Sequence, residues 1–102
     1  DIGSHFPDSD EAYRGISSLV LLERVAALLL KAGWRAVNAD VTIAAQRPKL
    51  APHLPRMREN IARALGVPLD CAGVKATTTE GLGFEGEEKG ISAQAVCLLR
   101  RG

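Results

Sequence analysis

Only two cysteines, Cys71 and Cys97, occur among the 102 residues, and they stand far apart. They fit neither a metal-ligand nor a redox spacing, so buried, reduced thiols are expected rather than a disulfide. No apolar run approaches the roughly 20 residues that span a bilayer. The greasiest stretch, Leu19 to Leu30, is interrupted by Glu23 and Arg24. The opening segment shows no signal-peptide pattern. An excess of one charge is lacking too, since 13 Lys and Arg face 12 Asp and Glu, with the signs interspersed. That leaves no electrostatic footprint for nucleic acid or for an anionic membrane surface. There are no internal repeats and no linker. A starting methionine is absent as well: the chain begins at Asp1 in a polar, proline-containing segment. The expectation is a piece of something longer.

What is present suits one globular domain. Apolar residues make up 46% and charged residues 25%, which is ordinary for such a domain. Residues 1 to 15 read as loop. Ser17 or Ser18 is a plausible N-cap, and Leu19, Leu22, Val25, Ala26, Leu29 and Leu30 recur at helical spacing. Lys31 followed by Gly33 stops that helix, over about 17 to 32. Val37, Ala39, Val41, Ile43 and Ala45 then alternate with polar residues and predict a strand. Pro48, Pro52 and Pro55 end it. Pro55 can open a second helix, in which Leu54, Met57, Ile61, Ala64 and Leu65 share a face and Gly66 is the stop. A strand over about 72 to 79, a glycine-rich loop over 81 to 90 and a strand from Ile91 to Leu99 follow. The last is apolar on both faces near its end, which predicts a central or covered position. The fold class is α+β: a two-layer sandwich with helices on one face of a small mixed sheet. A strand or two is expected upstream of these three.

The stretch "VKATTTEGLGFEG", residues 74 to 86, sets three threonines before a carboxylate and a run of glycines. One reading is β-branched residues finishing a strand. The other is hydroxyls and a carboxylate gathered around a phosphate and its metal ion. Alternation puts Thr77 and Thr79 on one strand face and Thr78 on the other. All three reach one ligand only if the strand ends or twists near Thr78.

Three segments, "DIGSHFPDSD" (1 to 10), "AAQRPKLAPH" (44 to 53) and "VKATTTEGLGF" (74 to 84), resemble the 2-C-methyl-D-erythritol 2,4-cyclodiphosphate synthase family. Their order and spacing match, and the similarity covers essentially the whole chain. The resemblance implies a lyase-type cyclisation in non-mevalonate isoprenoid biosynthesis. The 2-phosphate of 4-diphosphocytidyl-2-C-methyl-D-erythritol 2-phosphate attacks the β-phosphorus of its own diphosphate and expels CMP. It also implies a homotrimer with active sites at subunit boundaries, a zinc ion, and a second divalent ion, magnesium or manganese. The expected location is cytoplasmic, or plastidic in a plant or alga.

By the same resemblance Thr78 is the transition-state stabiliser. Thr77 and Thr79 join it as substrate contacts, and Glu80 as a contact and ligand of the second metal. Ala45, Gln46, Arg47, Pro48, Lys49, Leu50 and Ala51 form the cytidine pocket. Their backbone reads the polar edge of cytosine, the apolar side chains of Ala45 and Leu50 frame the ring, and the Arg47 side chain has no assigned role. This loop is expected to come from a neighbouring copy. Asp1, Ile2 and Gly3, with Phe6, Pro7, Asp8, Ser9 and Asp10, surround the methylerythritol phosphate. Asp1 accepts hydrogen bonds from its hydroxyls. Phe84 lines an apolar channel on the trimer axis.

Two departures stand out. The family's zinc ligands, an Asp-x-His pair and a further histidine, precede the "DIG" segment and are not in this chain; His5 and His53 have no companion at ligand spacing. Glu87 and Lys89 exchange the arginine and the acid that the family commonly carries there. An ion pair between them would survive the exchange. The alternatives are a non-catalytic cytidine-nucleotide-binding module without the zinc site, or an unrelated interaction domain whose threonines merely end a strand.

Overall fold

The computed structural model describes residues 1–102. Ser17 caps the first long helix, α2 (Ser18–Lys31), by accepting the Leu19 N–H at its hydroxyl oxygen, which satisfies one donor the helix leaves free. A single turn, α1 (Ile2–His5), precedes it. Asp1 caps that turn through the Gly3 N–H. The stretch read as loop over 1 to 15 therefore holds one helical turn there, and a 3-10 turn over Glu11–Tyr13 capped by Asp10.

After α2 the chain enters β1 (Trp34–Ala44). It starts three residues before the alternation becomes visible. A bulge between Ala36 and Asn38 shifts the pairing by one residue, which scrambles the period of two at that end. The second long helix, α3 (Leu54–Leu65), has Pro55 in its first turn. It ends at Gly66, whose φ of +73° is left-handed and whose N–H reaches back to Ala62 O at 2.9 Å. A Cβ on Gly66 would meet nothing within 4 Å, so Gly66→Ala carries only the backbone strain of that conformation. It should lower the unfolding free energy by about 1 kcal/mol, measured as a shift in urea midpoint; an unchanged midpoint would show that the cap adjusts freely.

The strands β2 (Ala72–Thr77) and β3 (Ser92–Arg101) complete a three-stranded sheet in the order β2-β1-β3. The β1–β2 pair is parallel, with Ala39 opposite Ala72 and Ala44 opposite Thr77. The β1–β3 pair is antiparallel, with Ala44 opposite Ser92. The sheet is thus mixed and the architecture α+β. β2 stops at Thr77 rather than Thr79 because Glu80 (φ +56°) and Gly81 (φ +81°) turn the chain out of the sheet.

Small side chains hold the layers together. Ala62 of α3, Val67 and Ala72 form the buried cluster, against which Ala36, Leu65 and Cys71 pack. α3 lies over β2, and α2 leans on α3 and β1. Ala39 and Ile43 of β1 are buried as well. The opposite sheet face carries polar groups, among them the ion pair between Lys75 Nζ and Asp40 Oδ2 at 2.6 Å. The molecule is a plate of 43 × 36 × 20 Å. Its radius of gyration of 15.1 Å exceeds the roughly 13 Å of a compact domain this long.

β3 is neither central nor covered, contrary to its apolar pattern. It is the sheet edge, with Val96 69% and Leu98 57% exposed. The cysteines are free, as expected, but not buried: Cys71 is half-buried and Cys97 lies exposed on β3. Partial desolvation pushes the Cys97 thiol pKa up. No helix is long and apolar enough to cross a membrane.

Candidate functional site

Because β1 and β2 run parallel, both deliver their C-terminal ends to one rim of the sheet, the usual place for a crevice between diverging loops. The loop after β1 carries residues 45 to 53. The chain after β2, residues 78 to 91, must arch across the end of β1 to reach β3. Ala45 ties the two together by donating its N–H to Thr77 O at 3.0 Å.

Between them lies a cleft of about 410 Å³, lined by Ala45, Gln46, Pro48, Lys49, Leu50, Ala51 and Leu54 on one side and by Ala76, Thr77 and Thr78 on the other. The proline-bent loop and the threonine-bearing strand end therefore meet within one chain. The expectation that a neighbouring copy must bring the loop is corrected by the parallel register of β1 and β2. Six of the seven residues from Ala45 to Ala51 line the cleft; Arg47 does not. The Arg47–Pro48 peptide bond is cis. Gln46 Oε1 is buried here without a hydrogen-bond partner. An unpaired acceptor of this kind costs about 1–3 kcal/mol, which a donor on a bound molecule would recover.

The three threonine hydroxyls differ in what they already bond. Thr77 Oγ1 donates to Thr78 O at 3.0 Å. Thr79 Oγ1 donates to Leu82 O. Thr78 Oγ1 instead accepts, from the Glu80 N–H at 3.3 Å. A hydroxyl has one hydrogen, so Thr78 is the member of the run whose hydrogen remains free for a ligand. It is also the last of the three on the cleft wall.

Glu80 is exposed just beyond, at the turn that ends β2. One carboxylate beside such a cleft suits a magnesium-class ion, which takes few protein oxygens and completes its shell with phosphate and water. Zinc is different. No three His, Cys, Asp or Glu side chains come close enough to hold a metal between them, so the donors of this chain do not fit a zinc ion by themselves.

The glycine-rich loop closes through a helical turn, α4 (Gly83–Gly86). Gly86 packs backbone to backbone against Gly81. Glu85 Oε2 accepts from Ser92 Oγ at 2.8 Å. Glu87 and Lys89 lie 3.6 Å apart as an ion pair. Phe84 is 50% exposed, its ring over Gly90. Arg47 Nε approaches Glu88 Oε1 at 3.1 Å. Sequence patterns gave no sign of that contact, because it joins two exposed loops.

The segment from Asp1 to Asp10 is not brought to this cleft. Asp1, Ile2 and Phe6 line a separate groove against Val25, Leu28 and Leu29 of α2. Asp1 and Asp10 use a carboxylate oxygen each as local caps. Pro7, Asp8 and Ser9 turn between them, and Gly3 donates its N–H to Asp1.

Known proteins resemble this chain in sequence and in fold. A relative from Desulfitobacterium hafniense, named 2-C-methyl-D-erythritol 2,4-cyclodiphosphate synthase, is 63% identical over 98% of this chain and 64% of its own length. One of the same name from Syntrophomonas wolfei is 57% identical over 99% of this chain and 64% of its own. Among solved structures, the bifunctional IspDF from Campylobacter jejuni superposes with a TM-score of 0.92 at 34% identity, covering all of this chain and 28% of that one. A 2C-methyl-D-erythritol-2,4-cyclodiphosphate synthase structure in a CDP-bound form gives 0.86 at 34% identity over 98% of this chain and 64% of that one. The chain thus spans about 64% of the length of the curated relatives it matches. The YgbB family pattern runs through residues 1–100, from the capped turn at Asp1 across the cleft to the end of β3, and the chain belongs to that family.

Proposed function

We propose that this chain carries the nucleotide- and phosphate-binding part of an enzyme that cyclises 4-diphosphocytidyl-2-C-methyl-D-erythritol 2-phosphate with release of CMP. The observation that carries the reading is the cleft in which loop 45–51 faces Thr77 and Thr78. Support comes from the names of the relatives and from the CDP-bound form of a structural neighbour.

In the reaction, an oxygen of the 2-phosphate forms a bond to the β-phosphorus. The bond from that phosphorus to the oxygen bridging to the α-phosphate breaks, and its electron pair leaves with CMP. No protein nucleophile is needed, only alignment and charge stabilisation. The free hydrogen of Thr78 points this chemistry to one donor, aimed at the phosphate oxygens that gain charge. Lys49, in the cleft wall, offers a point charge to a diphosphate. Glu80 would hold magnesium or manganese, which would neutralise diphosphate oxygens when bound. Thr77 and Thr79 hold the strand end and the following turn in shape through their own hydrogen bonds.

Gln46 Oε1 supplies the acceptor for the exocyclic amine of cytosine, while the backbone of the loop meets the rest of the base edge. Uracil carries a carbonyl at that position and would set acceptor against acceptor. CDP should therefore raise the melting temperature of the full-length protein, and UDP at the same concentration should raise it less. At about 100 times its Kd a ligand adds about 2.7 kcal/mol of stability. Equal shifts from the two nucleotides would remove Gln46 from base recognition. No shift from either would remove the nucleotide reading altogether.

The active unit is a homotrimer in this reading. The plate-like shape and the exposed Val96, Leu98 and Ile91 leave apolar surface of the kind that a partner covers. A neighbouring copy would then bring Asp1 to Asp10 to the methylerythritol end of the cleft, with Phe84 near the axis. In this reading the enzyme works in the cytoplasm. The lack of a three-donor metal cluster in this chain keeps a second reading, a nucleotide-binding module without catalysis. CMP release by the full-length protein with zinc and magnesium added excludes that reading; CDP binding without CMP release would establish it.

A further inference from the structure

Arg47 turns away from the cleft that its neighbours line, and its guanidinium crosses to the glycine-rich loop, where Nε lies 3.1 Å from Glu88 Oε1. The other ion pairs, Glu11 with Arg14, Asp40 with Lys75 and Glu87 with Lys89, lie elsewhere or within one loop. This one joins the loop that lines one wall of the cleft to the glycine-rich loop that follows the other. Glu88 is held for the contact at some strain: its φ is +62°, a conformation that a residue with a Cβ disfavours and glycine does not. The turn beneath it is closed by hydrogen bonds from Glu88 N to Glu85 O at 3.1 Å and from Lys89 N to Phe84 O at 2.9 Å. The carboxylate is therefore presented from a formed turn, not from a free arm.

We propose that Arg47 and Glu88 are a positioning pair, a latch that holds the glycine-rich loop against the nucleotide-reading loop and slows departure of the nucleotide. The latch rests on the cytidine-nucleotide reading of the cleft. When closed, it keeps Thr78 and Glu80, which begin the arching segment, near the loop that grips the base. Neither partner lines the cleft. Both are well exposed, at 79% and 47% of the side chain, so the pair acts through charge that salt screens.

The test is nucleotide release from the full-length protein, followed by stopped-flow with a fluorescent CDP analogue. R47Q and E88Q should each speed dissociation about threefold to fivefold at low salt, the scale of an exposed ion pair. The difference from wild type should vanish near 1 M salt, where the Debye length is about 3 Å. R47E should release faster still, since two carboxylates would then face each other between the two loops. The exchanged double variant R47E/E88R, which keeps a side chain at the strained position, should return to within about twofold of wild type. Unchanged release in R47Q and E88Q, or no recovery in the exchanged variant, would overturn the latch while leaving the nucleotide reading intact. Failure of the wild-type protein to bind the analogue would overturn both.

Discussion

Thr78→Ala in the full-length protein is expected to lower the turnover of CMP release by about 100-fold, the usual scale for one preorganised donor. Its effect on CDP affinity should be small, because the donor matters most where charge develops in the transition state. The structural reason is specific to this one threonine. Its neighbours' hydroxyl hydrogens are engaged by Thr78 O and Leu82 O, while the Thr78 oxygen takes the Glu80 N–H and leaves its own hydrogen free. Thr78→Ser keeps that hydrogen and should retain most of the activity. Thr77→Ala should act differently, loosening the strand end without deleting the donor. A Thr78→Ala enzyme that turns over like wild type would show that another group stabilises the departing charge.

The second large effect is expected at Gly86. A Cβ built there would lie 2.2 Å from Gly81 C and 2.6 Å from Gly81 Cα. Those are backbone atoms, so no side chain can swing aside to make room. Gly86→Ala must push the two limbs of the loop apart, and Gly81 adjoins Glu80. Overpacking of this kind costs about 1–3 kcal/mol. A shift of about 1 Å in the Glu80 carboxylate, the metal ligand in the proposed function, can lower turnover about 100-fold. The helices and the sheet do not depend on that contact, so the far-ultraviolet circular dichroism should match wild type while activity falls. Full activity in Gly86→Ala would mean that the loop opens without disturbing Glu80.

Much of this was legible from residue order, and the limits follow from what periodicity reports. Leu19 to Leu30 announced α2, and Pro55 and Gly66 bracketed α3, because each of those signals acts within a few residues of its cause. The Thr77 strand end was foreseeable as a condition for the threonines to share a ligand, and the left-handed backbone at Glu80 meets it. β3 was misplaced because an apolar pattern does not say where in a sheet a strand sits, and here it is an exposed edge. The origin of the loop at residues 45 to 51 was misassigned because parallel pairing of β1 and β2, which places it beside Thr77, is a long-range choice. The ordering of the threonine hydroxyls depends on turn geometry beyond the strand. The Arg47–Glu88 contact joins exposed loops that no local pattern links.

The ten residues of β3 bond to β1 alone, so every second main-chain amide along them points outward, off the rim of the sheet. Such a border attracts another extended segment through peptide groups that all sequences share.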